Sequence, residues 1–174
     1  MKKLLKLTTF FAPIVAMGCV GITQLDAAER DMFVTQNEDQ IQCMATTLYF
    51  EARSESDLGQ KAVAAVVMNR TESKKYPSSV CGVVTQANKN ADGSLKRHKC
   101  AFSYYCDGKS DVARDKSQFE RSRKIAVEAM LTHSDETDIT EGSVMYHATY
   151  VSPYWKNAYA RTAQVDSHIF YKEK

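Results

Sequence analysis

Apolar residues recur in the first half of the chain with the spacing of one face of an α-helix. The clearest stretch has apolar side chains at positions i, i+3, i+4, i+7 and i+8, which are Ile41, Met44, Ala45, Leu48 and Tyr49. This stripe is typical of a helix that buries one face. Thr35 and Glu38 precede it with the spacing of a capping box, and the pattern runs to about Arg53, which predicts one long helix.

Three further helices are predicted where a capping residue precedes apolar positions. Ser54 and Asp57 would cap a helix over about 58–70. Ser79 would cap a short helix, and Asp115 would open another that ends near residue 133. The polar stretches between these helices are predicted to be connectors and loops, at 29–36, 87–99 and 134–142.

The last third of the chain has a different pattern. Three short β-prone segments, separated by turn residues, are 144–146, 163–165 and 169–171. Helices that come first and strands that follow them indicate an α+β fold rather than a doubly wound sheet. With 174 residues, of which 44% are hydrophobic and 25% charged, the chain suits one compact domain and not a disordered one.

The N-terminal segment has the organisation of a secretory signal. Lys2, Lys3 and Lys6 precede an uncharged apolar stretch from 7 to 22, which is shorter than the roughly 20 residues that cross a bilayer. We therefore predict a signal peptide at 1–28, a linker at 29–39 and a folded domain at 40–174, exported to the periplasm or cell envelope. As an alternative, residues 16–19 resemble a lipobox loosely, and lipidation at Cys19 would attach the protein to a membrane.

The charge of the chain argues against nucleic-acid binding. The net charge of +2 comes from the N-terminal lysines, because from Glu29 onward the chain has 20 basic and 20 acidic residues. A surface that follows phosphates needs a basic excess, which this part of the sequence does not have.

The cysteines agree with export. Apart from Cys19 there are four, an even number typical of two disulfides in a short exported domain: Cys43, Cys81, Cys100 and Cys106. All three pairings remain open at this point. A zinc site is the competing interpretation, but the chain has no C-x-x-C pair, and the spacings are irregular.

Glu51 is the strongest candidate for acid catalysis. It lies near the end of the best helix, at the border of its buried stripe. Apolar surroundings raise the pKa of a carboxyl group, as a general acid requires. The competing interpretation is a boundary glutamate paired with Arg53 or Arg70. Glu55 lies four residues on, on the same helical face, so it is expected to support Glu51 rather than to flank a sugar ring from the other side.

Other candidate groups carry weaker signals. The histidines, which are His98, His133, His147 and His168, lack the spacing of metal ligands. Ser103 lacks the G-x-S-x-G context of a serine nucleophile. A group of aromatic residues is suited either to a saccharide cleft or to a core: Tyr146, Tyr150, Tyr154, Trp155 and Tyr159.

Several motifs together resemble one protein family. They are Tyr-Phe-Glu-Ala-Arg-Ser-Glu at 49–55, Gly-Gln-Lys-Ala-Val-Ala-Ala-Val-Val-Met-Asn-Arg at 59–70, Phe-Ser at 102–103, Tyr-His-Ala at 146–148, and His-Ile-Phe-Tyr at 168–171. In this order they resemble the SleB/CwlJ-type cell wall hydrolases, the spore cortex-lytic enzymes and their Gram-negative relatives, over about residues 40–172. The resemblance implies a domain related to lysozyme and lytic transglycosylases, with the family's essential glutamate at Glu51.

The same resemblance implies further site residues. Ser103, Tyr146 and His168 become candidates for substrate binding, with Glu55 as support. The family commonly has Gln before Phe-Ser where this chain has Ala101, which implies a change in affinity or bond choice. Ser54 replaces a usual Gly, which indicates that the turn there does not need a positive φ.

The leading hypothesis is a monomeric peptidoglycan glycosidase without a cofactor. It would act on glycan strands at the bond between N-acetylmuramic acid and N-acetylglucosamine, as a lytic transglycosylase or a muramidase-like hydrolase. One alternative is a metal-dependent amidase built from His147, His168 and a carboxylate. Another is a wall-binding protein that keeps the fold without catalysis.

Overall fold

The computed structural model describes residues 25–134 and 137–174, which form five α-helices and five short β-strands. The helices are α1 (Ala27–Gln36), α2 (Glu38–Ala52), α3 (Asp57–Glu72), α4 (Val80–Val84) and α5 (Lys116–Thr132). The strands are β1 (Ala87–Lys89), β2 (Leu95–Cys100), β3 (Met145–Ala148), β4 (Ala160–Val165) and β5 (His168–Lys172). Two 3₁₀ turns lie at Ser103–Cys106 and Tyr154–Ala158. The predicted α+β class is confirmed.

The N-terminal end of the described chain is helical rather than extended. α1 occupies the stretch 29–36, for which a polar connector is predicted, because Asp26 and Glu29 form a reciprocal capping box that starts a helix. No residue of α1 is fully buried. Cys19 and most of the predicted signal peptide lie outside the described residues. Within those residues, no helix has the length and apolar character needed to span a membrane.

α2 is the central helix of the larger core and packs against α3, α4 and α5. Its predicted stripe is buried, with Ile41, Met44, Ala45 and Leu48 fully inaccessible to solvent. The predicted Thr35 cap is wrong: the N-cap is Asn37, because Thr35 belongs to the end of α1 and donates to the Asp31 carbonyl.

The N-caps of the other predicted helices are polar side chains as expected, but the cap of α3 lies two residues after the predicted one. Ser56, and not Ser54, caps α3 by accepting a hydrogen bond from the Gly59 amide at 3.1 Å. The predicted Ser79 and Asp115 caps of α4 and α5 are both present. Side chains that accept from the first-turn amides satisfy donors with no partner inside the helix.

A β-hairpin replaces the loop predicted at 87–99. β1 and β2 pair antiparallel, with Ala87 opposite Cys100. Every residue of β2 before Cys100 is exposed, so the strand lacks the alternation of apolar and polar positions by which a sequence reveals a strand.

The C-terminal strands form one antiparallel sheet in the order β3-β5-β4. The register places Tyr146 opposite Phe170 and Ala148 opposite His168. Phe170 packs against Ala62 and Val66 of α3 in a second, smaller core. α3 therefore lies between the helical core and the sheet, which brings residues of the two halves of the chain together.

Both predicted disulfides are present. Cys43 of α2 pairs with Cys81 of α4, and Cys100 at the end of β2 pairs with Cys106 in the first 3₁₀ turn. The first joins two core helices, and the second fixes the segment that carries Ser103.

Candidate active site

A cavity of about 950 Å³ lies where the end of α2 meets α3, β3, β5 and the first 3₁₀ turn. Glu51 lies in the last turn of α2 and lines this cavity. Ser103, Tyr146 and His168 line it as well. Four of the five site residues predicted from sequence therefore share one cavity, although they come from distant parts of the chain.

The carboxyl group of Glu51 is partly buried and held by hydrogen bonds. Tyr146 donates from its hydroxyl to Oε2 at 3.2 Å, and the Ser103 backbone contributes a second bond. Burial raises the pKa of Glu51 above its ordinary value of 4.5, while these bonds and the charge of Arg70 oppose the rise. The net shift is upward, which is the direction that a general acid needs.

Glu51 is not part of an ion pair in the part of the chain that the structure describes. Arg53 instead lies over the ring of Tyr49, with 5.0 Å from its guanidinium carbon to the ring centroid. Arg70 acts on Glu51 through its charge at longer range. The interpretation of Glu51 as a boundary residue in an ion pair is therefore wrong.

Tyr146 is positioned by the sheet. Its ring packs edge-on against His168 with centroids 5.2 Å apart, and also against Phe170. Burial is the largest cause that raises the pKa of Tyr146 well above its usual value of 10. The phenol therefore stays protonated and acts as a hydrogen-bond donor to the carboxylate.

His168 begins β5 and is both a buried residue and a cavity residue, with 7% of its surface exposed. Burial lowers the pKa of its imidazole, while the carboxylates of Glu55 and Asp166 oppose this change. The side chain is therefore neutral at physiological pH. Its Nδ1 is buried and finds no hydrogen-bond partner among the described residues.

Glu55 does not line the cavity. Its carboxylate accepts hydrogen bonds from the amide of Ser167 at 3.1 Å and from the hydroxyl of Ser167 at 2.5 Å. Asp166 in the same turn accepts from the amide and hydroxyl of Ser56. The predicted substrate-binding residue Glu55 is thus placed as an anchor that ties the turn between β4 and β5 to the start of α3.

The absence of a side chain at Gly59 permits this anchoring. A Cβ atom there would lie 2.7 Å from the Cβ of Glu55 and would also meet the carboxylate of Asp166. Carbon atoms do not approach so closely in folded proteins, so the contact between α3 and the turn depends on glycine.

Arg70 is a cavity residue that the sequence pattern does not single out as one. It is 6% exposed, donates from Nε to the Val144 carbonyl at 2.8 Å and lies against the rings of Tyr76 and Phe102. Its Nη1 is buried without a partner in the described residues. The sequence feature that could have identified Arg70 is its position three residues after Val67, on the buried face of α3.

Tyr104 is a second cavity residue that the sequence does not identify. Its ring stacks on Phe50 with centroids 5.0 Å apart, and its hydroxyl lies 2.9 Å from that of Thr47. Burial raises the pKa of Tyr104 to about 12. Phe50 and Tyr104 both line the cavity and give it an aromatic wall. Nothing in the sequence separates Tyr104 from Tyr105, its neighbour.

Two additional carboxylates line the same cavity. Asp107 and Asp111 lie on the loop that follows the first 3₁₀ turn. Burial and then the charge of Asp107 raise the pKa of Asp111. The cavity therefore holds acidic groups other than Glu51, on a segment in which the sequence offers no catalytic motif.

His147 lines the cavity as well, but its ring nitrogens are engaged within the sheet region. Its Nε2 lies 2.9 Å from the Tyr171 hydroxyl, and its Nδ1 lies 2.9 Å from the Ala148 carbonyl. Both ring nitrogens thus have hydrogen-bond partners. Among the residues described, no group of three or more His, Cys, Asp or Glu side chains has the arrangement of a metal site.

The two departures from the family pattern are Ala101 and Ser54, and each can be located in the fold. Ala101 lines the cavity and is exposed, and its amide donates to the Gln86 carbonyl at 2.8 Å. The position at which the family commonly has Gln is therefore part of the cavity wall. Ser54 is not among the residues with positive φ, which confirms the expectation for that turn.

A family model described as cell wall hydrolase matches residues 54–171, beginning three residues after Glu51. The spore cortex-lytic enzyme of Bacillus subtilis is 29% identical over 147 residues, which are 83% of this chain and 41% of the relative. That of Halalkalibacterium halodurans is 28% identical over 135 residues, or 77% of this chain and 35% of the relative. The chain thus spans less than half the length of these curated relatives.

Two solved structures are similar over most of the chain. The catalytic domain of the Bacillus cereus SleB protein has a TM-score of 0.59 and 27% identity, covering 78% of this chain and 91% of that one. The catalytic domain of the germination-specific lytic transglycosylase SleB from Bacillus anthracis has a TM-score of 0.60 and 27% identity, covering 78% and 95%. The fold described above therefore matches nearly the whole catalytic domain of these proteins.

Proposed function

The chain belongs to the cell wall hydrolase family, and on this premise we propose that it cleaves peptidoglycan glycan strands with Glu51 as acid and base. The observation that carries the proposal is the Glu51 carboxyl group, which lines the cavity and accepts a hydrogen bond from Tyr146. The similar Bacillus anthracis domain belongs to a lytic transglycosylase, which supports the same reaction class for this chain.

The first chemical step uses the protonated form of Glu51. Its raised pKa keeps a proton available, and the acid transfers this proton to the glycosidic oxygen between N-acetylmuramic acid and N-acetylglucosamine. The bond from that oxygen to C1 of the muramoyl sugar breaks. The N-acetylglucosamine leaves as an alcohol, and C1 acquires oxocarbenium character.

The second step uses the carboxylate that the first step produces. Glu51 accepts the proton of the muramoyl C6 hydroxyl while that oxygen bonds to C1, which closes a 1,6-anhydro ring. The acid is thereby regenerated, and no water is consumed. The substrate supplies its own nucleophile, so one acid/base residue is sufficient.

Tyr146 and the Ser103 backbone support Glu51 in its charged form. Both hydrogen bonds lower the pKa of Glu51 and so limit the rise that burial causes. A residue that must first give and then take a proton works best when neither form is strongly favoured. The neutral His168 packs against the Tyr146 ring and fixes its orientation.

Hydrolysis of the same bond is the second candidate reaction. It requires a group that activates a water molecule, and the carboxylates of Asp107 and Asp111 in the same cavity favour it. A metal-dependent amidase is less favoured because both ring nitrogens of His147 are already hydrogen-bonded.

The proposed location is the periplasm or cell envelope, where the substrate lies. The basic and apolar N-terminal segment supports export, and so do the two disulfides. The proposed partners are glycan strands, with membrane attachment only through a lipid on Cys19. We propose that a monomer is the active form, because the cavity is formed within one chain.

The test is product analysis after incubation of the purified protein with sacculi. Mass spectrometry should find muropeptides with 1,6-anhydro ends. Reducing ends would identify the hydrolase, and intact stem peptides released from an uncut glycan would identify the amidase. Binding to sacculi without any soluble product would identify a non-catalytic wall protein.

A further inference from the structure

The loop after β3 exposes large apolar side chains to an unusual degree. Tyr150 is 86% exposed, Tyr154 is 96% exposed and Val151 is 44% exposed. With Trp155 these residues form what we call the aromatic rim. Single exposed apolar residues are common on proteins, but several within six positions mark a surface with a binding role.

The fold holds the rim outward. The Thr149 amide donates to the Ser167 carbonyl at 2.7 Å, and the Val151 amide donates to the Ala148 carbonyl at 3.0 Å. Trp155 packs edge-on against His147, Tyr159 and Tyr171. These contacts anchor the loop at both ends, so the exposure of its tyrosines is a property of an ordered segment.

The rim is continuous with the catalytic cavity. Tyr150, Val151 and Trp155 line the same cavity as Glu51, and Tyr154 lies just outside it, next to Trp155 in the second 3₁₀ turn. Four positions before Tyr150, Tyr146 contacts the acid, so β3 and its loop lead from the reacting centre to the edge. A polymer held with one bond at Glu51 must leave the cavity over an edge, and this edge carries the exposed rings.

The chemical character of the aromatic rim indicates which class of ligand it binds. No residue from 149 to 155 is charged, and the neighbouring Lys156 donates from Nζ to the Ser152 hydroxyl at 2.8 Å, so the exposed rings themselves offer an uncharged surface. A pyranose has an apolar face of C–H groups and a polar edge of hydroxyls. A tyrosine matches both, with a flat apolar ring, a hydroxyl and little side-chain entropy to lose.

We propose that the aromatic rim is a distal saccharide subsite, which binds the amino sugar that continues the glycan strand beyond the bond at Glu51. This inference rests on the proposed glycan-cleaving function. It assigns Tyr150 and Tyr154 to affinity for long strands, and it leaves the chemical step to the residues around Glu51.

The test compares the double variant Tyr150→Ala/Tyr154→Ala with Leu58→Ala. Leu58 is 52% exposed and does not line the cavity, so its loss is a matched change in exposed apolar surface. Peptide-free glycan strands of increasing length serve as substrates. The rim variant should raise the half-saturating concentration of long strands by roughly 2- to 12-fold per ring. Maximal rate, rates on the shortest cleavable fragments and melting temperature should stay unchanged, as in the control.

A binding measurement separates this inference from the proposed function. Calorimetry with long peptide-free strands uses the Glu51→Gln protein with and without the rim substitutions. Weaker binding in the rim variant supports the subsite even if the wild type cleaves no glycan. Three results would overturn it: an equal loss on short and long strands, a loss only on peptide-bearing sacculi, or a change in oligomeric state by sedimentation.

Discussion

The hydroxyl of Tyr146 donates a hydrogen bond of 3.2 Å to Oε2 of Glu51, although 95 positions separate the two residues. One residue ends a helix and the other lies in a C-terminal strand, and α3 packs between the two parts of the fold. The proposed acid is therefore controlled by a side chain that becomes its neighbour only in the complete fold.

Replacing Tyr146 by Phe removes this hydrogen bond and leaves the ring. A bond to a charged group contributes about 1.5–3 kcal/mol, so we expect kcat to fall on the order of 10- to 100-fold. Because the bond lowers the pKa of Glu51, the alkaline limb of the pH–rate profile should move to higher pH. Tyr105→Phe, outside the cavity, is the control. An unchanged kcat and profile would exclude this role.

Variants of Arg70 test whether its charge affects the pKa of Glu51, although the two side chains form no ion pair. Its positive charge lowers the pKa of Glu51, so Arg70→Met should move the alkaline limb to higher pH, while Arg70→Lys should retain most of the wild-type position. Both variants lose the bond to the Val144 carbonyl, so both should be less stable. Circular dichroism identifies a temperature at which both variants are folded, and the pH–rate profiles are compared at that temperature. Identical profiles for the two variants would show that the charge has no effect on Glu51.

The pH dependence of stability gives an independent test of Glu51. Its pKa in the folded state lies above the ordinary 4.5, so the stabilising contribution is present below pH 4.5 and lost as pH rises through the folded pKa. Glu51→Gln lacks this loss. The variant should therefore be at least as stable as the wild type near neutral pH, with the difference shrinking below pH 4.5. Urea unfolding at several pH values measures this, and a variant less stable near neutral pH would contradict it.

The sequence predicted α2 to α5, because each has a buried apolar stripe or a capping side chain, whereas α1 was missed although Asp26 and Glu29 form a capping box at its start. Ile41 through Tyr49 and the caps at Ser79 and Asp115 are local signals that the structure confirms. β1 and β2 were missed because most of their side chains are exposed and polar, so the sequence shows no alternation of apolar and polar positions there.

The candidate site likewise contains some residues that the sequence reveals and others that it does not. Glu51 could be nominated from its helical position, but its hydrogen-bond partner and the role of Glu55 depend on the register of a sheet formed by the other end of the chain. Arg70 lies on the buried face of α3, but its entry into the cavity, like that of Tyr104, depends on tertiary packing. Local pattern therefore nominates Glu51, the family resemblance implies its role as the acid, and only the assembled fold shows what surrounds it.

Gly59→Ala tests the anchor that positions β5. The added Cβ would lie 2.7 Å from that of Glu55, and the clash should cost about 1–3 kcal/mol. The turn that leads to His168 would loosen, so activity should fall together with the melting temperature. A variant as stable and active as the wild type would show that α3 and the turn do not need this close approach.

Removing the first disulfide should mainly lower stability, and removing the second should mainly lower activity. Cys43 and Cys81 are 38 positions apart and Cys100 and Cys106 are 6 apart, so chain entropy assigns about 4 and about 2 kcal/mol. Replacing the first pair by serine should therefore lower the melting temperature more. Replacing the second should lower activity more, because Cys100 lines the cavity. Calorimetry and glycan-cleavage rates measured on both variants test this, and the reverse order would contradict the assignment.

Acid catalysis by Glu51 is tested most directly by the rate at which soluble muropeptides leave purified sacculi in the presence of wild type, Glu51→Gln and Glu72→Gln. Glu72 is an exposed glutamate outside the cavity and serves as the matched control. We expect the wild type and the control to release fragments at the same rate and Glu51→Gln, still folded, to release none above background. Release by Glu51→Gln at the wild-type rate would contradict the assignment of Glu51 as the acid.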